Sequence, residues 1–135
     1  MLFIGFFACS ITQSLPFPRI DFNVTGKWSW EGATSSFYLE LRQAGDSIKG
    51  HYCAIGQNGN RIDCSVDETD SCELIGRFSK TTAQIQFKSC YVGDSGKATI
   101  TYDPKHDKLS WVLSPSDGDF YAPDSVVLSR DKTGR

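Results

Sequence analysis

The chain has one methionine, two histidines and no Cys-x-x-Cys pair. Tetrahedral zinc sites draw their ligands in close pairs, because one tight turn presents two at once, so a structural zinc site is not expected. Long apolar runs are also missing. The longest, Met1 to Cys9, falls short of the roughly 18–20 residues that span a bilayer as a helix. No stretch carries the 3.6-residue apolar period of an amphipathic helix. Charge of one sign is scarce as well. Fourteen Lys and Arg are interleaved with sixteen Asp and Glu, for a formal net charge of -2. No basic stripe is visible along the sequence to grip phosphates, so nucleic-acid binding is not expected. No cofactor motif and no nucleophilic serine motif occurs, and the chain reads as non-catalytic.

What remains is enough for one domain. At 135 residues, 39% of them hydrophobic, the chain can bury about two thirds of its unfolded surface and build a core without a metal. The first charge is Arg19. The apolar start followed by Leu15-Pro16-Phe17-Pro18 reads residues 1–18 as a leader, a secretory signal peptide or a lipoprotein-type leader with Cys9 as the lipidated residue, and 19–135 as a single domain. Export to the periplasm, the outer membrane as a lipoprotein, or the medium follows as the expectation.

Four cysteines remain after Cys9: Cys53, Cys64, Cys72 and Cys90. An even number in an exported chain suggests disulfides. Asn58-Gly59 suits a type I′ turn, whose two central residues need positive φ. A two-residue loop there sets Gln57 against Asn60, Ile55 against Ile62 and Cys53 against Cys64, on one face of a hairpin and within disulfide range. Cys72 and Cys90 form the second pair. Simple alternation puts them on opposite faces, which a bulge or a Cys90 beyond its strand would repair. Pairing Cys64 with Cys72 and Cys53 with Cys90 is the alternative.

Period-two alternation recurs through the chain. Strands are expected at 24–31, 36–43, 47–57, 60–65, 72–78, 83–90, 97–102, 108–113 and 124–130, joined by short turns. The loop Val66 to Ser71 is acidic and lacks the donor spacing of a calcium loop. One buried and one wet face per strand, in consecutive hairpins, reads as an all-β antiparallel up-and-down barrel of eight or nine strands.

Thr25-Gly26-Lys27-Trp28 resembles the opening of the calycin-type barrels, the lipocalins and avidins, whose Gly-x-Trp tryptophan closes one end. Gly50-His51-Tyr52 is similar to the avidin Gly-x-Tyr, and Arg130 is placed like the lipocalin arginine that stacks on that tryptophan. The resemblance implies the barrel, with Trp28 and Arg130 packed at one end. Trp30 stands near where avidins carry a polar biotin contact, and Thr101-Tyr102-Asp103 is not the lipocalin Thr-Asp-Tyr, so biotin binding is not implied. The chain also resembles small exported bacterial proteins.

Two function classes follow. The first is a binding module for a protein partner, an inhibitor or immunity-type envelope protein, with 67–71 and 114–123 as contact loops and a basic target for the acidic one. The second is a carrier of a small apolar ligand inside the barrel. Trp30, Tyr38, Tyr52, Tyr102 and Trp111 are the candidate contacts for ligand or partner, with Tyr38 and Trp30 facing outward, opposite to Phe37. The classes differ in whether the interior is empty or filled, and the many large inward-facing side chains predict a filled one.

Overall fold

Alternation becomes structure in nine strands: β1 (Gly26–Glu31), β2 (Ser36–Ala44), β3 (Ser47–Gly56), β4 (Arg61–Cys64), β5 (Leu74–Ser79), β6 (Thr82–Lys88), β7 (Ser95–Asp103), β8 (Lys108–Leu113) and β9 (Ser125–Arg130). The computed structural model describes residues 20–64, 73–90, 94–115 and 120–132. The leader with Cys9, the acidic loop and Cys72 lie outside them.

Each strand pairs antiparallel with the next, except that β4 is bypassed. β3 is long enough to share one edge between two partners. Its first half, Ser47–Gly50, pairs with β5, and its second half, Cys53–Gly56, pairs with β4. β9 then closes on β1 through Trp28↔Arg130 and Ser29↔Ser129. The result is an eight-stranded up-and-down barrel with β4 as an extra outer strand. Closure leaves the eight barrel strands no free edge, the usual route by which sheets aggregate.

Turn chemistry sets the register. Asn58 and Gly59 have φ of 55° and 91°, as a type I′ turn requires, and the Asn60 amide donates to the Gln57 carbonyl at 3.1 Å. Ile55 therefore faces Ile62 and Cys53 faces Cys64, with Cα atoms 4.0 Å apart and the disulfide formed. The alternative pairing of these two cysteines is thereby excluded. Cys90 is also disulfide-bonded. It lies past the end of β6 at Lys88, so strand alternation does not govern its direction.

Inward positions carry the core: Phe37, Leu39 and Leu41 on β2, Ile85 and Phe87 on β6, Leu109 and Trp111 on β8, all buried. At roughly 1.5–3 kcal/mol for each fully buried large side chain, this interior is the main favourable contribution to folding. Gly50 is the one inward position of β3 where a Cβ would run into the backbone carbonyl of Glu40. The absent side chain lets β2 and β3 coil tightly, as barrel closure demands.

Candidate functional site

A barrel binds at its mouth, in its interior or on its outer wall. One end is sealed by residues 20–25, which precede β1. Phe22 packs edge-on against Phe78 at 5.0 Å and lies 4.9 Å from Tyr102. Gln43 lashes the segment down, donating from Nε2 to the Phe22 carbonyl and accepting from the Val24 amide. Trp28 is buried beneath and donates from Nε1 to the Val24 carbonyl at 2.9 Å. The Arg130 guanidinium lies 4.4 Å over the indole, a favourable cation–π stack. Its remaining donors reach the Thr25 and Asn23 carbonyls at 2.8 and 2.9 Å and the Asp107 carboxylate at 3.0 Å. Tyr102 also donates to Asp107, at 2.8 Å. The hydrogen bond from Arg130 holds the Asp107 carboxyl below its usual range, and Asp107 in turn raises Arg130. Burial and the bond to Asp107 push the Tyr102 phenol up.

The opposite end, the open mouth in a carrier, is plugged by aromatic rings. Trp111 lies 4.7 Å from Phe37 and 5.7 Å from Phe87, and Phe87 lies 5.4 Å from Tyr52 and 5.2 Å from Phe120. Phe120 belongs to the segment before β9, which folds over the mouth. Trp111 donates to the Pro123 carbonyl at 2.9 Å, and Arg61 stands 4.0 Å over the Tyr121 ring. Residues 120–123 thus form part of the plug, where the sequence suggested a contact loop.

Beside this plug sits Asp63, a carboxyl only 2% exposed. It accepts from the Tyr52 hydroxyl at 2.7 Å, the Ser89 hydroxyl at 2.8 Å and the Cys90 amide at 2.8 Å. Burial, and then the bond to Asp63, raises the Tyr52 phenol far above its usual range. The first bond ties outer strand β4 to β3 and the other two tie it to the residues just past β6, which makes Asp63 a structural latch.

The five aromatic candidates separate accordingly. Tyr52, Tyr102 and Trp111 are buried in the core. Trp30 sits directly opposite Phe37 and packs half-buried on the same inner face. It does not point outward, because β1 pairs with β2 in a register that puts both rings on one side. Tyr38 alone lies on the outer wall. There it overlooks a shallow cleft of about 440 Å³ whose polar rim includes Lys27, Glu31, Glu40, His51 and Asp131. Its hydroxyl donates to Glu31 at 3.2 Å.

The cleft holds three carboxylates, Glu31, Glu40 and Asp131. Glu40 faces Lys27, and Glu31 lies four residues further along β1, ~13 Å away along the strand at the strand rise. His106 is exposed and bonded to Asp103 at 2.8 Å. Among the described residues no His, Cys, Asp and Glu group is arranged to hold a metal ion, and no helix is long and apolar enough to cross a membrane.

Sequence reasoning passed over Asp63, Asp107 and the Phe120–Pro123 plug. A signal for Asp63 existed. If Cys53 and Cys64 share the outer face, Ile62 shares it too and Asp63 must point inward. No family model, curated protein or solved structure matches the chain.

Proposed function

We propose that the chain is a non-catalytic, exported binding module that holds a protein partner on the outer wall of its barrel, in the manner of an inhibitor or immunity-type envelope protein. One observation carries the reading: the inward positions are occupied by large buried side chains, and aromatic plugs cover both ends. A carrier of small apolar molecules needs an unfilled, mostly apolar cavity of a few hundred Å³. With the interior occupied, the wall is the surface left for recognition, and the Tyr38 cleft is a concave part of it. The disulfides suit an oxidising compartment. Gly26-Lys27-Trp28 with Arg130 over the indole supports a calycin-like ancestry for the frame and assigns no ligand to it.

Native mass spectrometry of the purified protein, with a titration of a long-chain fatty acid followed by tryptophan fluorescence, tests this. Trp28 and Trp111 sit at opposite ends of the core and report on any ligand entering between them. The expected result is a bare protein mass and an unchanged emission spectrum. A stoichiometric small-molecule adduct, or saturable quenching, would overturn the reading in favour of a carrier.

A further inference from the structure

Cations scattered along the sequence gather on one part of the outer wall. Outward positions of adjacent strands align in the row Arg42↔Lys49↔Ile75↔Gln86↔Lys97, across β2, β3, β5, β6 and β7. The next row sets Arg77 beside Gln84, and Lys88 lies one step to the other side, opposite Ser95. Two shallow depressions of about 220 and 360 Å³ meet on this surface and share Ile75 and Gln86. Lys49, Arg77, Lys88 and Lys97 line them against Glu73 as the one acid among the lining residues. Asp46 is paired with Arg77 at 3.2 Å from outside. A chain of net charge -2 therefore carries a cationic band among its described residues.

We propose that this band, on the outer wall of β3, β5, β6 and β7, docks an acidic segment of a protein partner. The proposal rests on the binding-module reading and supplies the charge of the partner. Charge complementarity points to carboxylates, arranged around an apolar side chain that meets Ile75, which is 42% exposed at the centre of the band. Gln84 and Gln86 add amide donors and acceptors suited to a peptide backbone. Five strands at about 4.8 Å spacing give the row a width of ~19 Å, the length of a short extended segment. A nucleic-acid strand fits less well, because no aromatic ring is exposed along the row for bases to stack on. A flat lipid surface meets only part of a wall that curves around a barrel. The band also continues the Tyr38 cleft, since Arg42 and Lys49 are the next outward residues after Glu40 and His51 on β2 and β3. One partner can span both. Association through such a band falls as salt rises.

The test uses the full chain, isotope-labelled for nuclear magnetic resonance, titrated with a short fluorescent peptide of alternating glutamate and leucine. The expected result is saturable binding, amide shifts centred on Lys49, Ile75, Gln86 and Lys97, and affinity that weakens with added salt. The double variant Lys49→Glu with Lys97→Glu changes two exposed side chains and is expected to keep the circular dichroism spectrum. It should bind the peptide at least about tenfold more weakly. Undiminished binding by that variant overturns the proposal, as does tighter binding of an alternating lysine and leucine peptide. Shifts confined to the Tyr38 cleft would overturn the band and leave the binding-module reading standing. So would a failure with the peptide together with binding to heparin or to phosphatidylglycerol vesicles. An apolar adduct held inside the barrel would instead overturn the module reading itself.

Discussion

Arg130 shows how one side chain closes a barrel. A guanidinium presents five donors in a plane that also stacks, so it covers Trp28 while binding two loop carbonyls and Asp107. The pairing predicts a pH dependence with a definite sign. Because Arg130 lowers the Asp107 pKa in the folded state, Asp107 adds stability that is fully present above its unfolded value of about 3.9. That stability is lost as pH falls through the lowered folded value. Asp107→Asn should therefore cost about 1 kcal/mol at neutral pH, a modest figure because the pair is partly exposed. It should also flatten the acid limb of the stability curve. Urea denaturation of both proteins between pH 7 and 2 checks this, and parallel acid limbs would count against it. The sequence signalled Arg130 through its place at the end of the last strand. Asp107 was hidden, since it reads as one more polar residue in the turn Asp103 to Asp107.

At the scale of elements, the β3–β4 hairpin gathers three devices within a few residues: a type I′ turn, a disulfide and the Asp63 latch. Closing a loop of this length with a disulfide removes unfolded-state entropy worth about 3 kcal/mol. The double variant Cys53→Ser with Cys64→Ser should lose about that much, measured by urea denaturation. Peptide mapping of the oxidised protein should return Cys53 with Cys64, and Cys72 with Cys90. The hairpin was legible because Asn-Gly fixes a register, and a register fixes which side chains meet. Most strand spans were legible for the same reason, since one wet face and one buried face leave a period-two trace. The direction of Asp63 was obscured by local polarity. Ile62 and Asp63 suggest apolar in and polar out, and the outer-face disulfide reverses them. Tertiary register outranks local hydrophobicity there. Trp30 misled in a similar way, because a ring at the rim looks the same in sequence whether it faces in or out. That β4 would be an outer strand was not legible either, since two strands compete for one edge of β3 and only the chain's full path decides which half each takes.

At the scale of the molecule, a closed barrel with a filled interior divides its labour. The inside supplies stability and, in the binding-module reading we propose, the wall supplies recognition. Such a division suits a small chain that must keep its shape on its own. The cationic band belongs to this scale as well. Lys49, Arg77, Lys88 and Lys97 are far apart along the chain, and only the stacking of β3, β5, β6 and β7 brings them side by side. A linear search for basic runs passes over such a surface, whereas a register of the sheet exposes it.

Everything depends on the barrel being shut, and the seam between β1 and β9 is where it shuts. In the backbone ladder, two paired positions and the bond from the Asp131 amide to the Lys27 carbonyl, at 2.7 Å, hold it. Amide hydrogen exchange resolved by residue is the direct measurement. The closed barrel predicts that the amides of Ser29, Ser129 and Asp131, which point across the seam, exchange about as slowly as those at the centres of β6 and β7. Exchange of those seam amides at the rate of a free sheet edge, with β6 and β7 still protected, would mean an open sheet and an accessible interior, contradicting the account.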